Sequence, residues 1–532
     1  MKKFFSIVKE NPEYLGFFAI AAFYLYGLDA PLLWSDEANT ANFARNILQS
    51  GLPTAFDGQN LIMYDNCFEL SKDLLLKRIP WLPYYLGAAS IWLFGDTTEG
   101  VRLLYALSAA LASIPFFLAF RGACRHSWVW VTVAFLSPQV LLLHRNVRYY
   151  SMCTLLFGLV AWVVLKRNQQ GKTSGILLGI LFMLFYHTHP LMAGCTSAAI
   201  VLYALFFHRR ATLPYIGASL SGVAAWAVWY FSLDGLLETR TATHALKAWH
   251  QDVYWPFLAK SIWNHFTDLD LVSGFPLLGI AVLGFMDEVK NRRPWSRYIW
   301  FILLAWFSHV FFVSALAGAE GQALFGMIRF LPHIILIGPI LVGLLVSRLT
   351  DKRALAVPLF FVIVGFNVAN IRYWVPSQGR PVVPLSWWPI VYENIYTQVK
   401  DPWRPVIRQL SSLPQTEGHQ LLSVFPPFAS DILIFYLGDR FSFKPDMKPG
   451  SSCMDATEKI VGSHKIQEWQ KTPEWLLVFG GFLNQPPNFT VEGRFAFPPK
   501  TPEGSRPELT AWWRTQPPRA QMYLYKESAQ KL

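Results

Sequence analysis

The sequence predicts an α-helical polytopic membrane protein with about eleven transmembrane helices plus interfacial helices, followed by a small C-terminal α/β periplasmic domain. Composition supports the membrane part. Of the 532 residues, 53% are hydrophobic and only 15% are charged, whereas an ordinary soluble protein has about 25% charged residues. The chain also contains 22 Trp and 42 Phe. These figures exclude a disordered chain or a small disulfide scaffold and argue strongly against a soluble enzyme.

Long apolar runs occupy most of the first two thirds of the chain, and each is a candidate transmembrane helix. Several are shorter than the roughly 20 residues that a span needs, so their ends must extend into flanking residues. The runs are 14–34, 100–120, 127–144, 150–165, 174–186, 190–207, 212–233, 271–286, 298–317, 327–347 and 354–371.

A shorter apolar run at residues 80–95 is assigned by the positive-inside rule. If the N-terminus is cytoplasmic and this run does not cross, the loops place fourteen Lys and Arg residues on the cytoplasmic side. If it crosses, all fourteen lie outside. The positive-inside rule favours the first arrangement. We therefore predict that residues 80–95 form an interfacial or re-entrant helix on the outer face. The net charge of +12 is then a topology signal, and no nucleic-acid partner is expected.

The composition changes near residue 374, which divides a transmembrane domain (1–373, with a first periplasmic loop at 35–99) from a C-terminal domain (374–532). Beyond this point apolar runs shrink to strand length. The clearest are Gln420–Phe425 and Trp475–Phe479, and a helix-like stretch lies near 402–413. Of five Cys, only Cys67 and Cys453 fall in polar segments, which leaves a single bridge between them as an open alternative.

Two adjacent carboxylates, Asp36 and Glu37, lie directly after the first apolar run. The following residues up to Ser50 predict an amphipathic helix, with Ala41, Ala44, Ile47 and Leu48 on one face. One interpretation is structural, with Ser35 or Asp36 capping this helix. The other is functional, because acids at a membrane boundary are costly and one of them can serve as a general base.

Basic and aromatic residues gather at other predicted outer-face turns. Arg145 and Arg148 lie three residues apart, followed by Tyr149 and Tyr150; guanidinium groups suit phosphate binding, and interfacial snorkelling is the structural alternative. His187 and His189 form a weak candidate pair for binding a metal or another ligand. Arg329 is a candidate phosphate contact, or a salt-bridge partner of Glu320. Lys77, before the interfacial helix, is the last candidate.

The order of these motifs resembles that of the GT-C membrane glycosyltransferases. The motifs are the acidic pair, the outer-loop helix, the Arg145-to-Tyr150 turn, the His turn and the Arg329-Phe-Leu-Pro start of a late span. The resemblance is closest to the bacterial relatives of protein O-mannosyltransferase and of the lipid A aminoarabinose transferase. Gly95 to Arg102 is also similar to that branch's Gly-x-x-Glu-x-x-x-Arg stretch, although its spacing is not fully kept. The Trp-Trp-Asp signature of oligosaccharyltransferases is absent from the sequence.

The resemblance implies an inverting transfer of a hexosyl or pentosyl group from a polyprenyl-phosphate donor to a glycan, lipid or protein acceptor. It places the enzyme in the bacterial inner membrane among membrane lipids, with a cytoplasmic N-terminus and a periplasmic C-terminal domain. Asp36 would be the general base and Glu37 would orient it or the acceptor. The donor phosphate would be held by Arg148, Arg329, Lys77 and Arg145, beside a substrate pocket of Tyr149, Tyr150, His187 and His189.

Three questions stay open at this stage. No cofactor is certain, and dependence on a divalent cation is undecided, since His187 and His189 could join Glu37 in binding one. The alternative function is a polytopic transporter or flippase for lipid-linked sugars, which would favour mid-span charges and interrupted helices in paired halves. A third interpretation is a non-catalytic scaffold whose outer tail binds a partner.

Overall fold

The structure is a computed structural model in which most of the N-terminal half and parts of the C-terminal region are described. The described residues are 11–30, 32–62, 70–77, 79–124, 126–167, 173–233, 258–259, 262–263, 296–317, 332–349, 403–414, 420–425, 430–445, 452–471, 473–479, 489–496 and 521–527.

Helices dominate the described residues up to 349. In chain order they are α1 (Glu13–Leu25), α2 (Ser35–Ser50), α3 (Leu82–Phe94), α4 (Thr98–Phe120), α5 (Ser127–Leu136), α6 (Pro138–Arg145), α7 (Tyr150–Trp162, continued by a π-helix at Val163–Arg167), α8 (Thr173–Thr188), α9 (Pro190–Phe207), α10 (Thr212–Ser232), α11 (Ser296–Ala317) and α12 (Pro332–Leu349).

Four helices in the described part of the chain are long and apolar enough to cross a bilayer. They are Thr98–Phe120, Pro190–Phe207, Arg209–Ser232 and Arg297–Ala315. The predicted run at 80–95 forms the shorter helix α3. The predicted spans at 271–286 and 354–371 lie outside the described residues, so the total of eleven stays a prediction.

One predicted span, 127–144, is interrupted. Helix α5 ends at Leu136, and Ser137 has an extended backbone with ψ 135° before α6 begins at Pro138. Proline has no backbone N–H and its ring clashes with the preceding turn, so it is tolerated at the start of a helix but not inside one. The prediction of one continuous span is therefore wrong here, and the segment forms two consecutive helices.

The C-terminal region contains α13 (Trp403–Ser412), β1 (Gln420–Phe425), α14 (Ser430–Leu437), β2 (Phe441–Phe443), α15 (Ser452–Val461), α16 (Ser463–Gln470), β3 (Trp475–Phe479), β4 (Phe489–Ala496) and β5 (Gln521–Glu527). The strands form one sheet of order β2-β1-β3-β5-β4. Strand β1 pairs parallel with β2 and β3, whereas β5 pairs antiparallel with β3 and β4.

The chain divides into two compact units. The first, called the bundle unit, contains residues 1–26, 105–231 and 236–393. The second, called the loop–sheet unit, contains residues 27–104, 232–235 and 394–532. The loop with the acidic pair therefore belongs to the same compact unit as the C-terminal sheet.

Apolar contacts hold the bundle unit together. Its core includes Phe116, which packs edge-on against Phe135 at 5.4 Å between ring centroids and lies 6.0 Å from Phe157. Helix α12 packs against α5, and a Cβ atom at Gly343 would overlap the Trp130 ring. Glycine at this position therefore permits the close approach of these two helices.

Candidate functional site

Helix α2 carries the acidic pair at its first turn. Its N-cap is Trp34, whose backbone N–H donates to Glu37 Oε2 at 3.3 Å. This is one half of a capping box, in which the residue at the third helical position reaches back to the cap. The expected cap at Ser35 or Asp36 is therefore shifted by one or two residues, and the capping carboxylate belongs to Glu37.

Glu37 is fully buried and bound to an arginine 65 positions along the chain. Arg102 Nε donates to Glu37 Oε1 at 2.9 Å, and Nη2 donates to Oε2 at 2.5 Å. Arg102 also donates to the carbonyl oxygens of Leu28 at 2.8 Å and Leu32 at 3.1 Å. A bidentate pair that is also bonded to backbone is geometrically specific, so it fixes the start of α2 against α4.

Asp36 lies beside this pair and is only 6% exposed. Its backbone carbonyl accepts a hydrogen bond from Thr40 Oγ1 at 3.0 Å. The helix N-terminus favours a carboxylate at this position through its dipole. At the other end, Gly51 takes a left-handed conformation with φ +80°, which favours glycine. On the predicted apolar face Ala41, Ala44 and Ile47 are buried, whereas Leu48, near the end of the helix, is 45% exposed.

The basic and aromatic candidates that follow α6 belong to the bundle unit. Arg145 ends α6 and is buried. The guanidinium carbon of Arg148 lies 5.7 Å from the centre of the Tyr149 ring. Tyr149 in turn contacts Tyr150 at 4.7 Å and His189 at 4.2 Å between ring centroids. The structure therefore groups four of the predicted residues, Arg148, Tyr149, Tyr150 and His189, in one aromatic and basic cluster.

The two candidate histidines differ in their surroundings. His189 is the N-cap of α9, where its Nδ1 accepts a hydrogen bond from the Met192 backbone N–H at 3.4 Å. His187 lies in the last turn of α8, 6.1 Å from the Trp229 ring centroid. Within the described residues, no group of three or more His, Cys, Asp or Glu side chains is close enough to hold a metal ion.

Lys77 and Arg329 complete the predicted set. Lys77 is half-buried in the loop–sheet unit, directly after Leu76, which bridges to Leu70. Arg329 lies outside the described residues, as does Cys67.

Sequence reasoning did not assign a role to two residues that shape these sites. Arg102 belongs to the Gly95-to-Arg102 stretch, but nothing in that stretch identifies it as the partner of Glu37. His144 is buried and bonded at both ring nitrogens, with Nδ1 3.2 Å from Tyr24 Oη and Nε2 2.8 Å from Thr154 Oγ1. An isolated arginine or histidine in an apolar sequence gives no signal of such a distant partner.

Two crystal structures of ArnT from Cupriavidus metallidurans align with nearly the whole chain. The structure bound to undecaprenyl phosphate has a TM-score of 0.54, and the apo structure has 0.53. Each shares 12% sequence identity and covers 96% of this chain and 97% of ArnT. The chain has the fold of these ArnT structures. This confirms the fold that the sequence resemblance implied, with a mostly helical, multi-pass membrane architecture.

Other comparisons are weaker. The archaeal oligosaccharyltransferase AglB from Archaeoglobus fulgidus, in complex with an inhibitory peptide and a dolichol-phosphate, aligns with a TM-score of 0.45 and 11% identity. That alignment covers 88% of this chain and 70% of AglB. No protein-family profile matches the sequence, and no curated protein matches it significantly.

Proposed function

We propose that the protein is an inverting glycosyltransferase that moves a hexosyl or pentosyl group from a polyprenyl-phosphate donor to an acceptor hydroxyl. The reaction takes place at the outer face of the bacterial inner membrane, and the acceptor is a glycan, a lipid or a protein. The observation that carries the proposal is the fixed start of α2, where Asp36 is nearly buried beside the Glu37–Arg102 pair. The GT-C fold, shared with ArnT bound to undecaprenyl phosphate, supports the donor class.

In this mechanism the acceptor hydroxyl gives its proton to the Asp36 carboxylate while its oxygen attacks the anomeric carbon. The bond between that carbon and the phosphate oxygen breaks, and polyprenyl phosphate leaves with the electron pair. Positive side chains must then stabilise the leaving phosphate. We assign this role to Arg148, with Arg145, Arg329 and Lys77 as further contacts.

Tyr149, Tyr150, His187 and His189 form the substrate pocket in this proposal. The aromatic cluster around Tyr149 supports it, because aromatic faces and ring edges pack well against sugars and isoprenoid chains. Glu37 acts through its bonds to Arg102 and to the Trp34 backbone, which hold the first turn of α2. It orients Asp36 rather than reacting itself.

The decisive experiment compares envelope lipids, glycans and proteins by mass spectrometry in cells with and without the gene. A species that depends on the gene identifies the product. In complemented cells, Asp36→Asn is expected to abolish that product while the purified variant still folds and binds undecaprenyl phosphate. The matched control is Asp73→Asn, an exposed acid of the same unit, which is expected to retain the product. Normal product formation by Asp36→Asn would exclude the assigned base.

The donor site and the divalent cation are tested separately. Arg148→Met is expected to weaken the binding of undecaprenyl phosphate, because a guanidinium gives two parallel hydrogen bonds that a thioether cannot make. Unchanged binding would remove Arg148 from the donor site. Transfer that survives strong chelation would show that no divalent cation takes part.

A further inference from the structure

Helix α14 of the C-terminal region lies against α2, the helix that carries the acidic pair, within the loop–sheet unit. Asp431, in the first turn of α14, is 1% exposed. Its Oδ2 accepts a hydrogen bond from Asn39 Nδ2 at 3.0 Å, and its backbone carbonyl accepts one from Asn42 Nδ2 at 2.9 Å. One residue of the C-terminal region thus holds two side chains of α2.

The position of Asn39 makes this contact relevant to the acidic pair. Asn39 lies three residues after Asp36, and residues three apart are neighbours on a helix surface. The hydrogen bond to Asp431 therefore fixes the helix within one turn of the Asp36 carboxylate. Because buried polar groups are costly when they lose their hydrogen bonds, the Asn39–Asp431 contact constrains the rotation of α2 about its axis.

A second residue of α14 reaches the segment before α2. The backbone N–H of Leu33 donates to Tyr436 Oη at 3.0 Å, and Thr98 Oγ1 lies 2.7 Å from the same oxygen. Thr98 begins α4, the helix that carries Arg102. Burial raises the pKa of the Tyr436 phenol, so it remains protonated at neutral pH and keeps both contacts.

We propose that Asp431 and Tyr436 are positioning residues, through which α14 holds the first turns of α2 and sets the Asp36 carboxylate toward the acceptor. This inference rests on the proposed function of Asp36. It gives the C-terminal region an indirect part in the chemistry, through the position of α2, beyond any role in acceptor recognition. A misplacement of about 1 Å can reduce a rate by about 10²-fold, so loss of the Asn39–Asp431 contact should impair transfer in a folded protein.

The test compares substitutions at Asp431 for the gene-dependent product, measured per folded molecule in complemented cells. Asp431→Ala removes the acceptor for Asn39 and is expected to lower the product about 10²-fold. Asp431→Asn keeps an oxygen that accepts the hydrogen bond from Asn39 and is expected to restore most of the product. Tyr436→Phe should give a smaller loss, since the ring remains and only one hydroxyl is removed.

The control for a merely structural effect is Leu422→Ala, a fully buried change in β1. Hydrogen exchange is expected to accelerate in the amides of α2 for Asp431→Ala, and in those of β1 for Leu422→Ala. The product per folded molecule should fall only in the first variant. If Leu422→Ala lowers it equally, or if Asp431→Asn is as defective as Asp431→Ala, the positioning role is overturned.

Asp36→Asn separates this inference from the proposed function. If that variant retains the product, the proposed function fails and the positioning role fails with it. If it loses the product while Asp431→Ala keeps both the product and the slow exchange of α2, only the positioning role fails.

Discussion

The bundle unit and the loop–sheet unit satisfy their buried polar groups in different ways. In the bundle unit, buried imidazoles contact other side chains. For example, His309 Nε2 lies 2.6 Å from His333 Nε2. In the loop–sheet unit, which also contains side-chain pairs such as Glu37–Arg102, several polar side chains bond the backbone of distant segments. Asn60 Nδ2 donates to the Gly438 carbonyl at 3.2 Å, and Asn60 Oδ1 accepts from the Phe443 N–H at 2.8 Å.

This difference follows from the local secondary structure. A helix bonds its own backbone internally, so helices in the bundle need partners only for their side chains. The described residues of the loop between α2 and α3 contain few regular elements, and their backbone and that of the short edge strand β2 need other partners. The amide side chains of Gln59 and Asn60 supply several of these partners, and they join the loop to the sheet region within one unit.

The largest expected effect is at the buried ion pair of the loop–sheet unit. Arg102→Met leaves the Glu37 carboxylate buried without its cation and should lower the free energy of unfolding by about 3–5 kcal/mol. Thermal unfolding in detergent measures this change. The control is Asp96→Asn at the partly exposed Arg45–Asp96 pair, with side chains 24% and 39% exposed, where a change below about 1 kcal/mol is expected. Equal changes in the free energy of unfolding of the two variants would contradict the expected difference between the buried and the partly exposed ion pair.

An intermediate effect is expected from overpacking in the bundle unit. Gly343→Ala places a methyl group against the Trp130 ring and should lower the free energy of unfolding by about 1–3 kcal/mol. Gly217→Ala is the matched control, because nothing lies within 4 Å of a Cβ atom at that helical position. There the greater helix propensity of alanine should leave stability unchanged or raised. A stabilising Gly343→Ala would show that α5 and α12 are not closely packed.

The smallest effect is expected at a single hydrogen bond between the loop after α2 and strand β2 of the sheet. Gln59 Nε2 donates to the Phe441 carbonyl at 2.9 Å, and Gln59→Ala should lower the free energy of unfolding by about 1 kcal/mol. Hydrogen exchange of the amides of β2 should rise with it. Asp73→Ala, an exposed change in the same loop, should stay within about 0.5 kcal/mol of the parent protein. A larger decrease in the free energy of unfolding for Asp73→Ala than for Gln59→Ala would contradict the proposed attachment of the loop through Gln59.

Several elements could be predicted from the sequence because their signals are local. The apolar run 190–207 coincides with α9, which Pro190 begins, and the amphipathic helix after the acidic pair ends at Ser50 before Gly51. The strand-like runs Gln420–Phe425 and Trp475–Phe479 coincide with β1 and β3. In each case apolar periodicity and a Gly or Pro at one end of the element are sufficient.

Features that depend on distant partners could not be predicted in this way. The break at Ser137 is different, because its signal, Pro138 at the start of the second helix, is local to the sequence. The exposure of Leu48 depends on which neighbours cover α2. Arg102 meets Glu37 across 65 positions, and Asp431 meets Asn39 across 392.

The sequence by itself determined the membrane class, the residue types gathered at the predicted outer face and the resemblance to GT-C glycosyltransferases, because composition, periodicity and short motifs are local properties. Only the tertiary structure decided which carboxylate caps α2, which arginine neutralises it and that the C-terminal helix α14 holds the same segment. The physical reason is that buried charges and amides are stable only when a partner is brought to hydrogen-bond distance, and folding selects those partners from remote parts of the chain.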